Sequence, residues 1–400
     1  MMKLYIPGIS LMNTGMLRYL DRFFGKPASR ILFLLKKIIR KKRTIEGIQN
    51  LHPKKILLIK LWGIGSVILL SPVVNNLRKK YPQAEIHFLT KRWLHTIYDA
   101  SVFDKVYSLN TWWILNAIKD FLSVPFKLMK ESYDLVIDFE VISYYTAALT
   151  FMINPKYSIW FKIIGKTKDK LYDFTAIYHE SKHITEIFTL PLKLLGIEDI
   201  NYDLLSPSYS SDDEYKVCLD IPDIHDCIAV NINASDLALE RRRPIPYYIQ
   251  LINSLVAKWE KIILTWDKSD VAYVESLYVQ LNNKDRILNI SGIYSLKQFF
   301  VVVKSVKLFI SNDSGPLHVA VAYQTPTISF FGPETPLIYG PNYKKDLHKV
   351  FFMNLYCSPC ISVFRDKNFV CTNQNKCMFT IQPEKVIQQV DYFLLNKIFK

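Results

Sequence analysis

No apolar run in these 400 residues approaches the roughly 20 needed to cross a bilayer as a helix. The nearest approaches, Leu17 to Phe24 and Ile31 to Leu35, are far too short. No small-residue cleavage site follows a charged start and an apolar core, the order of a secretory signal. An exported, disulfide-framed protein is therefore not expected, and the six cysteines should stay reduced. Short-period repeats and long low-complexity tracts are also missing, which leaves an ordinary globular architecture.

Half of the residues are hydrophobic, enough to bury the cores of two domains. The net charge of +15 is unevenly spread. Through Lys55 there are 13 basic and two acidic side chains, a balance of +11, and the remaining 345 residues carry only +4. A nucleic-acid-binding fold would spread such charge over its folded surface, so no nucleic-acid partner is expected. Apolar and aromatic residues interleave with Lys and Arg from Leu17 to Arg43. That pattern suits a helix lying on an anionic membrane face; the alternatives are a basic helix packed on the domain, or a tail. Residues 1–52 are read as a basic amphipathic extension, peripheral on the cytoplasmic face of the membrane.

From Lys54 onwards β-rich runs alternate with helical patterns, as in parallel sheets with crossover helices. Lys55 to Leu61 is a near-continuous apolar strand, expected where both sheet faces are covered. Strands follow at Glu85 to Thr90, Lys105 to Leu109, Asp134 to Phe139 and Tyr157 to Phe161, with helices at Val67 to Lys80, Trp112 to Met129 and Tyr144 to Met152. Asn201 to Asp213, rich in Ser, Asp and Pro, reads as a linker. The alternation then restarts, with strands at Cys227 to Ile232, Lys261 to Thr265, Ile287 to Asn289 and Val306 to Ile310. Two doubly wound α/β domains, residues 53–205 and 214–400, are expected to face each other across a cleft.

The most informative stretch is Ile310 to Pro333, where an apolar strand ends in Ser311-Asn312-Asp313-Ser314-Gly315-Pro316 and a small-residue helix begins at Leu317. The free N–H groups and positive dipole end of such a helix suit a phosphate or diphosphate. Asp313 or Ser314 can cap it, and Pro316 sits near its first turn, where the missing N–H costs little. An ordinary β-turn-α connection is the alternative. Near the start, Gly63 and Gly65 in Trp62-Gly63-Ile64-Gly65 allow close backbone approach to a ligand. A dinucleotide fingerprint would need a third glycine. Late in the chain, Cys357, Cys360, Cys371 and Cys377 have spacings that suit one tetrahedral, structural zinc; reduced thiols packed in a loop are the alternative. Cys218 and Cys227 lie in or beside predicted strands and read as buried small hydrophobes.

Asn312-Asp313-Ser314-Gly315-Pro316-x-His318, with Thr325-Pro326 and Phe331-Gly332-Pro333, resembles the donor-site signature of glycosyltransferase family 9, which includes heptosyltransferases of lipopolysaccharide assembly. Ile56 to Val67, with Ser71-Pro72 and Leu77 to Pro82, is similar to that family's first strand, glycine loop and first helix. The resemblance runs from about Lys54 to Val386 and implies the GT-B fold. It implies an inverting transfer of a sugar, heptose being one candidate, from a nucleotide-diphosphate donor to a lipopolysaccharide-type or other envelope-glycan acceptor. A nucleotide-sugar epimerase and a catalytically idle nucleotide-sugar-binding scaffold are the rivals.

The resemblance also suggests roles. Gly63, Gly65, Ser235, Arg241, Asp313, Ser314, Gly315 and His318 match donor-binding positions. Arginine can hold phosphate bidentately; a solvated charge run is the alternative for Arg241 to Arg243. His318 is either a diphosphate ligand or a packing residue. The family's common catalytic aspartate is replaced by Ser66, whose hydroxyl is too weak a base unaided. Asp138 matches a family aspartate, and Glu140 replaces a common glutamine; Glu140 is nominated first as substitute base. Alternatively both carboxylates cap the next helix or hold acceptor hydroxyls. No Asp-x-Asp pair is placed to bind a diphosphate through a metal, and a helix N-terminus plus arginine can stabilise the leaving diphosphate directly. No catalytic cofactor is expected.

Overall fold

The computed structural model describes residues 14–39, 42–110, 114–234, 238–265, 267–365, 370–396 and 398. The chain divides into two compact units. The first is built from Met1–Trp62, Leu70–His179 and Thr185–Asn201, and the second from Gly63–Leu69, Glu180–Ile184 and Tyr202–Lys400. The short glycine-bearing segment thus packs with the second unit, although it directly follows a strand of the first.

Six strands form the first unit's sheet: β1 (Lys55–Ile59), β2 (Glu85–Lys91), β3 (Lys105–Leu109), β4 (Leu135–Asp138), β5 (Tyr157–Lys162) and β6 (Phe174–Ile177). Their order is β3-β2-β1-β4-β5-β6, and every pairing is parallel. The second sheet contains β7 (Cys227–Asn231), β8 (Lys261–Leu264), β9 (Ile287–Asn289), β10 (Leu308–Asn312), β11 (Thr327–Phe331) and β12 (His348–Phe352). Its order, β12-β11-β10-β7-β8-β9, repeats the same topology, again all parallel. In doubly wound sheets ligands sit beyond the carboxyl ends of the strands where the order reverses. Those points are β1/β4 in one unit and β7/β10 in the other. The central strands β1, β4, β7, β10 and β11 are buried almost throughout, which is why they read as continuous apolar runs.

The expected helix from Val67 to Lys80 is two helices, Ile64–Leu69 and Ser71–Lys80. Pro72 occupies the first turn of the second, where a proline is tolerated; inside one continuous helix it would remove a backbone hydrogen bond. Cys218 lies on the helix Ser211–Asp220, not on a strand, and is half-buried; Cys227 is buried as expected. All six cysteines are free thiols.

The N-terminal segment contains a helix, Thr14–Ile39. It is fastened to the first unit at Asp21, whose carboxylate accepts from the Tyr144 and Tyr145 amides (2.7 and 2.8 Å) and from the Ser143 hydroxyl (3.1 Å). Further along, Lys36 Nζ donates to the Tyr172 carbonyl at 2.6 Å. Tyr19, Phe23, Phe24, Ile31, Leu34, Ile38 and Ile39 remain exposed. Among the described residues no helix is long and apolar enough to cross a membrane.

Candidate active site

In the second unit, polar side chains interrupt the apolar strands where β7 and β10 end. Asn231 closes β7; its Nδ2 donates to Ser311 Oγ (2.9 Å) and Ser314 Oγ (3.0 Å), and its Oδ1 accepts from the Asn233 amide. Asn312 closes β10 and ties the neighbouring loop down from both ends. Its Nδ2 donates to the Ile232 and Asn233 carbonyls, and its Oδ1 accepts from Tyr248 Oη and the Arg243 amide. Both asparagines are fully buried. The turn Asp313-Ser314 leading into the helix Gly315–Ala322 is therefore fixed by side chains below it before any ligand arrives. Ser314 stands at the N-cap position, yet its side chain makes no capping bond and turns to Asn231 and Ser311 instead. Pro316 lies in the first turn, as its sequence position implied.

Arg241 Nη1 stands 3.3 Å from Asp313 Oδ2, so a cation borders this turn. The arginine run is not a solvated stripe. Arg242 pairs with Asp270 at 3.3 Å and lies over the Tyr273 ring at 4.1 Å. Arg243 is completely buried, donates from Nη2 to the Ile381 carbonyl at 2.9 Å and covers the Phe330 ring at 4.6 Å. Burial pulls the Arg243 guanidinium down to about 10. Ser235 lies outside the described residues.

The glycine segment meets the same helix. Gly63 has φ +84°, a conformation glycine adopts without strain, and its carbonyl accepts from the Val67 amide at the start of Ile64–Leu69. A side chain at Gly65 would overlap His318 Cδ2, and one at Gly315 would overlap Ile64 Cγ2. Both glycines permit two helices to approach closely, and the buried His318 ring packs on Gly65. Ser66 is half-buried on the first of these helices.

Asp138 and Glu140 are placed differently from expectation. Both are completely buried in the first unit. Glu140 Oε2 accepts from Lys60 Nζ (3.1 Å) and the Leu61 amide (3.2 Å), while Oε1 accepts from the Ile142 amide. Asp138 accepts from the Glu140 amide (2.7 Å) and Tyr172 Oη, and pairs with Lys168 Nζ at 2.9 Å. Burial alone would raise the Glu140 carboxyl, but Lys60 and Lys168 outweigh it and hold it below its ordinary value. A buried carboxylate held by two lysines is placed as a counter-ion, away from the open rim expected for Glu140. Sequence reading had no route to Lys60, Lys168 and Tyr172, because these partners lie 22 to 80 residues from the groups they bind.

The four late cysteines line one cavity of about 300 Å³. Burial, then the neighbouring thiols, raise Cys360 to about 12; burial and the Cys371 thiol raise Cys377 to about 11. Cys371 Sγ accepts from the Asn375 amide and Cys357 Sγ from Asn373 Nδ2. The donor set suits zinc. Among the described residues, however, no three such side chains stand where one ion could be held, so as placed the quartet does not close around a metal.

The sequence profile of glycosyltransferase family 9 (heptosyltransferase) matches residues 122–367, more than half of the chain. That span holds Asp138, Arg241 and the Asp313 turn and begins after the Gly63 segment. Lipooligosaccharide heptosyltransferase 2 of Campylobacter jejuni is 25% identical over 157 residues, 39% of this chain; the match spans about half (47%) of that relative's length. Lipopolysaccharide heptosyltransferase 3 of Escherichia coli is 25% identical over 288 residues, covering 69% of this chain and 82% of that protein. The structure of E. coli ADP-heptose LPS heptosyltransferase II superposes with a TM-score of 0.68 at 18% identity, covering 86% of this chain and 99% of the other. Two Rossmann-like units of identical strand order and this likeness define the GT-B fold, and the chain belongs to glycosyltransferase family 9, the heptosyltransferase family.

Proposed function

We propose that the chain moves a sugar, with inversion, from a nucleoside-diphosphate donor to a glycan acceptor of the lipopolysaccharide type. The observation that carries this reading is the braced turn at Asp313-Ser314-Gly315, at the β7/β10 reversal, with Arg241 beside it. In this reading the acceptor hydroxyl oxygen bonds to the anomeric carbon as the bond to the diphosphate breaks, and the hydroxyl proton leaves to solvent. Backbone N–H groups of the turn, the helix dipole and Arg241 take up the charge that develops on the diphosphate. The second unit holds the donor and the first the acceptor. ADP-heptose is the donor suggested by the relatives' names. No step draws on a metal; a metal at the cysteine quartet would be structural, since four thiolates leave no open position.

Calorimetry with ADP tests the donor site. Arg241→Ala is expected to weaken binding at least tenfold, about 1.4 kcal/mol, with Arg241→Lys intermediate because it keeps charge and loses the planar fork. Equal affinity in all three proteins would contradict the assignment. A second reading, a donor-binding protein without turnover, is favoured by Ser66 and by the sealing of Glu140. ADP binding without transfer to any of a panel of glycan acceptors would select it.

For the helix Thr14–Ile39 we propose peripheral contact with an anionic membrane face. Its exposed Phe23, Phe24, Ile31, Leu34 and Ile38 are interleaved with exposed Lys26, Arg30 and Lys37. Wild type is expected to float with vesicles containing anionic lipid. Phe23→Ser/Phe24→Ser/Ile31→Ser should lose most of that recovery, and unchanged recovery would reject the contact.

A further inference from the structure

Arg243 is the largest fully buried side chain described in the second unit. Among the described residues no carboxylate pairs with its guanidinium. Nη2 donates to the Ile381 carbonyl at 2.9 Å, while Nε and Nη1 are buried without a hydrogen-bond partner. The carboxylate that acts on it is that of Glu384, which sits on the exposed surface and accepts from Gln250 Nε2 at 2.6 Å. Rings enclose the cation instead: Phe330 at 4.6 Å, Tyr247 at 5.2 Å and Tyr248 at 5.7 Å from their centroids. Stranded donors in the interior are costly, and an apolar side chain of similar size would fill the site at less expense. What the arginine has is a position. It ends the short loop whose turn Leu239–Arg241 carries Arg241. Its amide donates to Asn312 Oδ1 (3.2 Å), and the neighbouring Arg242 carbonyl accepts from Asn375 Nδ2 (3.3 Å). Tyr247 Oη donates to the Phe379 carbonyl at 3.0 Å. The loop is thus fastened to β10 on one side and to Asn375–Ile381, the stretch that includes Cys377, on the other.

We propose that Arg243 is a positioning residue: its buried fork locks this loop against the Ile381 stretch, so that Arg241 stands beside the Asp313 turn. That Arg241 then meets a diphosphate rests on the transferase reading; the locking of the loop does not. Arg241 Nη1 lies 3.3 Å from Asp313 Oδ2. A loose loop would leave that side chain in water for most of the time, and ordering it would then cost affinity at each binding event. A planar guanidinium can bond a carbonyl and lie against aromatic faces at once, which a lysine ammonium does less well. The consequence is that stability and binding should part company. Removing the buried charge relieves the core of the second unit, and the same change frees the loop.

The test compares the full chain with its Arg243→Met variant by denaturant midpoint, by trypsin cleavage after Arg241 and Arg242, and by calorimetry with ADP. The midpoint is expected to equal or exceed that of wild type, because an unpaired buried charge gives way to an apolar side chain. Cleavage at the two sites should be about tenfold faster, since the loop opens without global unfolding. ADP should bind about fivefold more weakly. On an Arg241→Ala background the same substitution should leave ADP affinity unchanged, because Arg243 acts through Arg241. A folded Arg243→Met protein with wild-type cleavage and wild-type affinity would overturn the proposal. So would an affinity that falls only in step with the midpoint, or an equal loss on the Arg241→Ala background. Should Arg243→Met not fold, Arg243→Gln, which keeps a donor for the Ile381 carbonyl, is judged by cleavage and affinity in its place. Failure of wild type to bind ADP would strike the donor assignment alone, and the cleavage rates would then decide whether Arg243 holds the loop.

Discussion

Gly315→Ala is expected to destabilise the second unit by about 1–3 kcal/mol, the usual cost of forcing an extra methyl into a packed contact, and to weaken ADP binding in parallel. The new Cβ would overlap the Ile64 Cγ2 methyl, so the two helices must separate or the turn must move. Either shift disturbs the Asn231–Ser314–Ser311 bonds that hold the turn. The contact makes a further demand. Ile64→Ala removes the obstructing methyl, so the double variant Ile64→Ala/Gly315→Ala should lose less stability than the two single variants added together. Denaturant melts of the four proteins measure this; strict additivity would mean that the two residues do not press on each other.

Glu140→Ala is expected to cost about 3–5 kcal/mol, because it strands the Lys60 ammonium in a buried site. The Leu61 and Ile142 amides lose their acceptor as well. Lys60→Met/Glu140→Ala, which removes both charges, should recover part of the loss. The pH dependence has a definite sign. Interaction with Lys60 and Lys168 outweighs burial and holds the native carboxyl below its ordinary value of 4.5, so the pair's contribution is complete above that value and fades as pH falls through the lower native one. Wild type and variant stabilities should therefore converge in acid and separate at neutral pH. A Glu140→Gln protein with native stability but reduced turnover would instead return this residue to the role of base.

What could be read in advance was whatever the chain encodes locally. β1 and β10 are buried on both faces, so their apolar runs announced them, and Pro316 and Gly315 marked a helix start. The edge strands β6 and β12 are only partly buried and carry short apolar runs broken by polar residues (Thr175, His348, Lys349), so they stood out less. Asn231 and Asn312 were visible as polar residues ending apolar strands, but their work as braces depends on partners such as Ser314 and Tyr248, 83 and 64 residues away. The same limit hid the lysine–carboxylate cluster. Spacing along the chain records which face a residue occupies, not which distant charge will meet it. For Glu140, the acidity that suggested a base is the property that makes it a buried counter-ion. His318 likewise belongs to a recognisable motif, and its ring packs on Gly65.

The most direct measurement is a crystal structure of the full chain with an ADP-sugar or ADP bound. The diphosphate should lie against the amides at Ser314 and Gly315, with Arg241 in contact with its oxygens. A diphosphate found on another part of the fold, with this turn closed over by its own side chains, would contradict the account.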